Sequence, residues 1–348
     1  MTIVVLTGAT SGIGEQAALQ LAERGATVVP VGRDPGRLEK VAAALRERGS
    51  DAEPLRADFA SQAEVRRLAD ELLHRHDRID VLVNNAGVVT SSRSLSPDGR
   101  ELTMAINHYA PFLLTNLLLD RLKASAPARV VTTASDAHSS GLIDFDDLDM
   151  ERKWSIFRAY GTTKLANILF TRELARRLEG SGVTANCLHP GAIRTRLGRG
   201  GLAGIAWKLM SPFLGSPKKG GARIVHVAAD AIGGEVSGEY FANDRPNAVR
   251  GQAADDDVAA RLWERSAALV GLHDVASACG DPGPAAAGVP PRHRRGPGRA
   301  ARAPLLARRT AAPADPAHVG VADPQRERLA RRAARLRDLV WARGARGR

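Results

Sequence analysis

Tyr160 and Lys164 lie four positions apart in the chain. If this segment is helical, the two side chains share one face and can meet the same ligand. A free tyrosine titrates at about 10, and a neighbouring ammonium lowers that pKa because it stabilises the phenolate. Such a tyrosine can donate a proton to a carbonyl oxygen or accept one from an alcohol. Ser135 follows an apolar run and is placed to donate a second hydrogen bond to the same oxygen.

A glycine-rich turn follows the first apolar run of the chain. Glycines let the backbone pass close to a pyrophosphate, and the start of the next helix directs free N–H groups at the phosphates. The spacing is G-x-x-x-G-x-G rather than G-x-G-x-x-G, and such turns also serve as plain connections, so both alternatives stay open on this motif alone. The candidate cofactor contacts in the turn are Thr7, Gly8, Ser11, Gly12, Ile13 and Gly14.

Further residues after the next apolar runs fit a dinucleotide. Arg33 follows the second run, where an acid favours NAD and an arginine accommodates the 2′-phosphate of NADP. Alternatively, Arg33 is a solvated residue at the start of a helix that Asp34 caps. Asp58, after the third run, is placed to meet the adenine ring. Small and polar residues follow the fourth run, where the dinucleotide would cross the sheet edge, namely Asn85, Ala86 and Gly87.

The apolar runs alternate with amphipathic helical patterns. The runs lack polar alternation, as strands buried on both faces do. Strands that alternate with helices predict right-handed crossovers and a parallel sheet. We therefore predict a Rossmann-like, doubly wound α/β domain with helices on both faces of the sheet. The predicted strands are residues 3–7, 27–31, 52–57, 79–83, 128–133, 184–188 and 238–242.

The charge of the chain is concentrated at its C-terminal end. The 348 residues carry a formal charge of +12, yet residues 273–348 hold 16 arginines against six acidic residues, so residues 1–272 are nearly neutral. This body gives no reason to expect nucleic acid as its partner. Residues 273–348 are dominated by Ala, Arg, Pro and Gly and cannot bury enough apolar surface to fold. We place one domain at residues 1–272 and predict a disordered tail at 273–348.

The tail allows two other interpretations. Residues 323–343 can form an amphipathic, arginine-rich helix that touches DNA, an anionic membrane or a partner protein. Alternatively, the C-terminus is translated out of its natural frame, which would explain the abrupt change in composition.

Several classes of protein and site are excluded or disfavoured. Cys187 is the only cysteine in residues 1–272, so a disulfide framework and a multi-cysteine zinc site are excluded there. The chain shows no signal peptide and no apolar run long enough to span a membrane, which predicts a soluble, cytoplasmic protein. No metal site is expected: His138 and His189 lack a second ligand at metal spacing, and we interpret them as local hydrogen-bond partners. The aspartates at positions 144, 146, 147 and 149 lack the glycine and terminal glutamate of a calcium loop and indicate a solvated acidic turn.

Together these motifs resemble the short-chain dehydrogenase/reductase family over about residues 2–272. The resemblance implies that Ser135, Tyr160 and Lys164 are catalytic and that Lys164 also holds the nicotinamide ribose beside Tyr160. It implies that Asn107 binds a water that relays protons to the lysine. The matching motifs, in the order of the family, are T-G-x-x-x-G-I-G, N-N-A-G, Asn107, Ser135, Y-x-x-x-K and the cofactor-contacting pair Pro190 and Gly191.

The sequences around Asn107 and Tyr160 (N-H-Y-A-P-F-L-L-T and Y-G-T-T-K-L-A-N-I-L-F) resemble the retinol-dehydrogenase-like branch of that family. So does the gap of 25 positions between Ser135 and Tyr160. Membrane-bound members begin with an apolar anchor, whereas this chain begins at its first strand, so a membrane role is not expected. The segment after Gly191 predicts a mobile lid over a bulky lipophilic substrate, or a short helix packed on the body. Its large apolar residues are Trp207, Leu209, Met210, Phe213 and Leu214.

The resemblance implies an NADP(H)-dependent carbonyl reductase or alcohol dehydrogenase. The arginine-rich composition of the tail is typical of GC-rich coding DNA, and family members from GC-rich bacteria include ketoreductases that tailor aromatic polyketides such as anthracyclines. A role in antibiotic biosynthesis is therefore one expectation. The alternative is a non-catalytic NADP-binding sensor or interaction protein on the same fold, against which the intact Ser135, Tyr160 and Lys164 argue. The family also implies a homodimer formed through the helices that carry Asn107 and Tyr160.

Overall fold

The computed structural model describes residues 2–191 and 215–272. Most of the expected lid and the whole of the predicted tail lie outside the described residues. The strands are β1 (Ile3–Thr7), β2 (Thr27–Gly32), β3 (Leu55–Arg56), β4 (Val81–Asn84), β5 (Ala128–Thr133), β6 (Val183–Leu188), β7 (Tyr240–Ala242) and β8 (Arg245–Pro246). The helices are α1 (Gly12–Glu23), α2 (Pro35–Arg46), α3 (Gln62–Arg75), α4 (Leu102–Met104), α5 (Ala110–Leu117), α6 (Leu119–Ala124), α7 (Ile156–Arg177), α8 (Pro217–Ala229), α9 (Ala231–Glu235) and α10 (Asp256–Leu269).

The strands form one sheet in the order β3-β2-β1-β4-β5-β6-β7-β8. The first seven strands pair in parallel. Strands β2 and β3 lie on one side of β1, and the chain then crosses back so that β4 and the later strands lie on its other side. The prediction of a doubly wound α/β fold is therefore confirmed. One strand was not predicted: β8 pairs antiparallel with β7 through a two-residue turn at Asn243 and Asp244, both with positive φ. Such a turn matches the right-handed twist of the strands that it joins.

Two apolar cores cover the two faces of the sheet. Because successive strand residues point to opposite faces, Val5 packs with α3, α5 and α7, whereas Val4 and Leu6 pack with α1, α2 and α8. Strands buried on both faces need mainly apolar sequence, which is why β1, β2 and β4 appear as nearly continuous apolar runs. No helix among residues 2–191 and 215–272 is both long and apolar enough to cross a membrane.

The middle of helix α7 is buried by the rest of the chain, whereas its first turn is exposed at Phe157. Its residues are buried without a break from Gly161 to Thr171, because α10 covers the side that faces away from the sheet. There the ring of Trp263 stacks on Phe170 at 5.8 Å and meets Phe112 edge-on at 4.9 Å. Residues 161–171 of α7 are therefore part of the interior of this chain.

Candidate active site

Three predicted side chains converge at the carboxyl end of β5. Ser135 lies two residues after β5 and begins a 3-10 turn (Asp136–Ser140), where its hydroxyl accepts from the backbone of Ala137 at 3.2 Å. Tyr160 lies in the second turn of α7, close enough to Ser135 for the serine side chain to lower the Tyr160 pKa. One turn further along, Lys164 Nζ lies 5.4 Å from the centroid of the Tyr160 ring. The predicted grouping of Ser135, Tyr160 and Lys164 in space is thus present in the structure.

Burial dominates the electrostatics of the pair. It lowers the pKa of Lys164 to about 8, because the ammonium loses most of its hydration, and the side chain is only 4% exposed. Burial also raises the pKa of Tyr160, and the neighbouring Ser135 side chain opposes that rise without cancelling it. We expected Lys164 and the positive nicotinamide of an oxidised cofactor together to lower the Tyr160 pKa, whereas in the protein alone desolvation of the phenolate raises it.

Asn107 lies on a π-helical segment (Ala105–Tyr109) between α4 and α5. Its side chain is buried and fully engaged: Oδ1 accepts from the backbone of Val88 at 2.8 Å, and Nδ2 donates to the Val88 carbonyl at 2.9 Å and to Thr163 Oγ1 at 3.2 Å. The Thr163 hydroxyl donates in turn to the carbonyl of Tyr160 at 2.8 Å. Asn107 therefore connects the segment after β4 to the turn of α7 that holds Tyr160 and Lys164.

The glycine-rich turn between β1 and α1 is closely packed. Gly8 and Gly12 have φ values of +69° and +61°, which favour glycine over any other residue. A Cβ on Gly14 would lie 2.3 Å from the carbonyl oxygen of Gly8 and 2.5 Å from the side-chain nitrogen of Asn85. Ser11 occupies the N-cap position of α1, yet its side chain makes no capping hydrogen bond. The first N–H groups of α1 therefore remain available to an anion.

The glycine-rich turn is held to the end of β4 by hydrogen bonds among Thr7, Asn85 and Ala86. The Thr7 hydroxyl accepts from the backbone N–H groups of Asn85 at 2.9 Å and Ala86 at 3.0 Å, and it donates to the carbonyl of Val83 at 3.1 Å. The Asn85 amide donates to the Thr7 carbonyl at 3.0 Å. Because Thr7 is only 1% exposed, its side chain joins β1 to β4 rather than facing the space above the turn.

The remaining predicted positions lie along the carboxyl edge of the sheet. Arg33 follows β2 and is exposed. The helix cap expected at Asp34 is also present, since Asp34 accepts from the backbone N–H of Arg37 at 2.9 Å at the start of α2. Asp58 follows β3, and its Oδ1 accepts from the backbone of Ala60 at 3.0 Å. The other predicted positions are Ile13 in α1, Gly87 after β4, and Pro190 and Gly191 after β6. A Cβ on Gly87 would lie 3.3 Å from Asn107 Oδ1, Pro190 is buried, and Gly191 has a φ of +97°.

Two polar features near Ser135 were not predicted. Asn167 donates to the carbonyl of Thr133 at 3.3 Å, the same oxygen to which Lys164 donates at 2.8 Å. The residue after Ser135, Asp136, accepts a hydrogen bond from the Tyr240 hydroxyl at 2.5 Å. Asn167 carried a usable signal, since it lies three positions after Lys164 and hence on the same side of a helix. The Asp136–Tyr240 contact carried none, because 104 positions separate the two residues.

The acidic segment before α7 is structural. Asp147 is nearly buried and accepts from the backbone of Glu151 at 2.7 Å, and Asp149 accepts from the backbone of Glu101 at 2.9 Å. The expectation of a solvated acidic turn is therefore wrong for these two residues, whose carboxylates satisfy backbone N–H groups inside the fold. Within the described parts of the chain, no three His, Cys, Asp or Glu side chains are grouped to hold a metal ion.

Comparison with known proteins agrees with this geometry. The model of the short chain dehydrogenase family matches residues 2–201. The chain is 42% identical to human retinol dehydrogenase 13 over 283 residues, which covers 77% of this chain and 84% of that protein. It is 46% identical over 270 residues to a Streptomyces sp. (strain C5) protein, the putative daunorubicin C-13 ketoreductase DnrU, covering 77% and 92% of the two chains.

A solved structure shares the fold. The Pseudomonas aeruginosa RhlG/NADP active-site complex aligns with a TM-score of 0.57 at 30% identity, covering 69% of this chain and 93% of that one. The expected resemblance, including the likeness to retinol dehydrogenases, is confirmed. The chain belongs to the short-chain dehydrogenase family and is an oxidoreductase that acts on a CH–OH/C=O pair.

Proposed function

We propose that this chain is an NADP(H)-dependent carbonyl reductase or alcohol dehydrogenase in which Tyr160 transfers the proton. The observation that carries the proposal is the convergence of Ser135, Tyr160 and Lys164 at the carboxyl end of β5. Ligands of open α/β sheets bind outside the carboxyl ends of the strands, and the glycine-rich turn after β1 lies at the same edge.

Each of the three side chains has a distinct role in reduction. Tyr160 donates its phenolic proton to the substrate oxygen, and the Ser135 hydroxyl hydrogen-bonds to that oxygen as negative charge develops. Burial raises the pKa of Tyr160 and so keeps the phenol protonated at neutral pH, which is the form that an acid needs. Lys164 has a pKa of about 8 and is mainly protonated at neutral pH, so its ammonium stabilises the phenolate that forms. Asn107 holds the turn of α7 between the two residues through Thr163.

The turn between β1 and α1 fits the pyrophosphate of a dinucleotide. The uncapped N–H groups at the start of α1 and the glycine backbone of residues 8, 12 and 14 would hold it. Arg33 at the end of β2 would pair with a 2′-phosphate, which favours NADP(H), and the similar Pseudomonas aeruginosa structure is a complex with NADP. When bound, NADPH supplies the hydride. Asp58 would contact the adenine, and Lys164 would bind the nicotinamide ribose. Pro190 and Gly191 would lie near the nicotinamide ring.

We propose a bulky lipophilic ketone or aldehyde as the substrate. The names of two relatives refer to retinol and to the C-13 ketone of daunorubicin, both of which are large and lipophilic. An aromatic-polyketide ketone of the anthracycline type, reduced in antibiotic biosynthesis, is the finer proposal. We place the activity in the cytoplasm and expect no nucleic-acid partner for residues 1–272. The homodimer that the resemblance implies, formed through the helices that carry Asn107 and Tyr160, is part of the same proposal.

The test is NADPH consumption with a panel of carbonyl compounds that includes daunorubicin, retinal, steroid ketones and small ketones. We expect turnover with the bulky compounds, and a loss of at least about a hundredfold in kcat for Tyr160→Phe, because the proton donor is removed. NADPH binding, followed by its fluorescence, should be retained in this variant.

Tyr109→Phe is the matched control, because Tyr109 is buried and its hydroxyl has no partner among the described residues. It should leave kcat unchanged. NADPH binding without turnover across the whole panel would instead support a non-catalytic NADP-binding protein, and full activity in Tyr160→Phe would contradict the assigned proton donor.

A further inference from the structure

A polar cluster beside Ser135 joins the ends of three neighbouring strands. The carboxylate of Asp136 accepts from the Tyr240 hydroxyl at 2.5 Å through Oδ1 and lies 3.3 Å from His189 Nε2 through Oδ2. The backbone N–H of Asp136 donates to His189 Nδ1 at 3.3 Å. Asp136 follows β5, His189 is the first residue after β6, and Tyr240 begins β7. We call these three residues the Asp136 clamp.

The protonation states of the clamp follow from its geometry. His189 Nδ1 accepts the backbone N–H of Asp136, so the ring proton resides on Nε2, which lies 3.3 Å from Oδ2 of the carboxylate. Burial lowers the pKa of His189, which keeps the ring neutral as this arrangement requires. Tyr240 is 5% exposed, and burial together with the Asp136 carboxylate raises its pKa, so its hydroxyl is a donor. A bond of 2.5 Å from a hydroxyl to a carboxylate lies in the range of charge-assisted hydrogen bonds.

The clamp fixes the residue next to Ser135. The Ser135 hydroxyl already caps the 3-10 turn, and its carbonyl accepts from both the backbone and Nδ1 of His138, whose ring packs edge-on against Tyr240 at 5.2 Å. The Asp136 side chain is 65% exposed, so water competes for its carboxylate, and its approach to the neutral His189 contributes little to stability. The buried Tyr240 hydroxyl needs a hydrogen-bond acceptor, but any acceptor would satisfy it, so this need does not by itself require a carboxylate at position 136. The arrangement therefore does more to fix position than to stabilise the fold.

We propose that Asp136, held by Tyr240 and His189, is a positioning residue that keeps the Ser135 hydroxyl directed at the substrate oxygen. The proposal rests on the proposed function, since it needs Ser135 to bond the reacting oxygen. Displacing a donor of this kind by a fraction of an ångström weakens its bond mainly in the transition state, where the charge on the oxygen is greatest. Loss of the clamp lowers kcat and leaves the affinity for NADPH and the KM of the carbonyl nearly unchanged.

The decisive experiment combines clamp variants with Ser135→Ala and measures hydride transfer in single turnovers with enzyme in excess. In the otherwise unchanged protein, Tyr240→Phe and Asp136→Ala should each lower the rate about tenfold. Asp136→Asn keeps an acceptor for the Tyr240 hydroxyl and should recover most of that loss. In the Ser135→Ala background, the same two changes should cost less than about twofold, because the group that they position is gone.

A purely structural role predicts a different pattern. Tyr240→Phe and Asp136→Ala would then lower the rate by the same factor in both backgrounds, and that result would overturn the proposal. An unchanged rate in both clamp variants would overturn it as well. Asp136 is exposed, so Asp136→Ala tests the proposal even if Tyr240→Phe disturbs packing. Tyr109→Phe serves again as the control for removing a buried tyrosine hydroxyl. The proposed function stands or falls separately, on Tyr160→Phe.

Discussion

The ammonium of Lys164 lies 2.8 Å from the carbonyl oxygen of Thr133, the last residue of β5, and this bond ties α7 to the strand that leads to Ser135. The same carbonyl accepts from Asn167 at 3.3 Å. One backbone oxygen therefore fixes Lys164 relative to Ser135. The bond offsets only part of the cost of burying the ammonium, because the pKa of Lys164 still falls to about 8.

Lys164 is therefore expected to destabilise the fold at neutral pH. Its folded pKa of about 8 lies below the ordinary value of 10.5, so the unfolded chain binds this proton more tightly, and burial of the charge costs about 3 kcal/mol at pH 7. Lys164→Met should raise the free energy of unfolding by about 1–3 kcal/mol at pH 7 while turnover is lost. The Thr133 carbonyl keeps its bond from Asn167 in this variant.

The stability gained by Lys164→Met should depend on pH, and this dependence identifies the ammonium as its source. Between pH 8 and pH 10.5 the unfolded chain is protonated at Lys164 and the folded chain is not, so the stability of the unchanged protein rises with pH in this window. The advantage of Lys164→Met, measured by denaturant unfolding, should shrink over the same window. A difference that does not vary with pH would show that the ammonium is not the source of the cost.

The sequence predicted the elements that depend on local pattern. Parallel strands buried on both faces are rich in apolar residues, so β1, β2, β5 and β6 were found nearly to the residue. Because strand ends meet at one edge, Ser135 and the i, i+4 pair of Tyr160 and Lys164 could be placed together from the sequence alone.

The features that failed depend on tertiary contacts. Strand β3 was predicted over residues 52–57 but pairs with β2 only at Leu55 and Arg56, where it forms the edge of the sheet among the described residues. The Tyr160 pKa was predicted from its neighbour Lys164, whereas burial by distant elements decides it. The β7–β8 hairpin had a local signal, the Asn243-Asp244 pair that tolerates positive φ, and this signal was missed.

Gly14→Ala should destroy cofactor binding. The new Cβ would lie 2.3 Å from the Gly8 carbonyl oxygen and 2.5 Å from the Asn85 side chain, so the turn must open. We expect NADPH affinity to fall by at least about a hundredfold, because the backbone donors of the turn move together. Gly36→Ala is the matched control in α2, where the nearest atom is 3.5 Å away, and it should leave binding intact. Fluorescence titration with NADPH measures both, and equal affinities would show that the turn does not hold the pyrophosphate.

Arg33→Ser tests the choice between NADP and NAD. Loss of a guanidinium that bonds the 2′-phosphate should weaken NADPH binding by about 10- to 100-fold, since bonds to charged groups contribute about 1.5–3 kcal/mol. The affinity for NADH, which lacks this phosphate, should stay the same. Arg46→Ser at the far end of α2, where Arg46 pairs with Glu39 at 2.7 Å, controls for the loss of a nearby positive charge. If Arg33→Ser weakens both cofactors equally, Arg33 acts through the turn and not through the phosphate.

Two truncations test the predicted boundary at residue 272. The end of the body is fastened to α3, because Arg66 donates to the Val270 carbonyl at 2.6 Å and Gln62 donates to the Leu269 carbonyl at 3.2 Å. Deleting residues 273–348 removes neither bond and should leave kcat/KM within about twofold.

Deleting residues 256–348 instead removes α10 and with it Trp263, whose ring covers Phe112 and Phe170. The exposed aromatic surface should cost several kcal/mol, at about 25 cal/mol per Å², and yield an aggregating or unfolded protein. Circular dichroism and gel filtration report the difference between the two truncations. A large loss of kcat in the shorter deletion would place part of the catalytic domain after residue 272, because nothing else in that variant has changed.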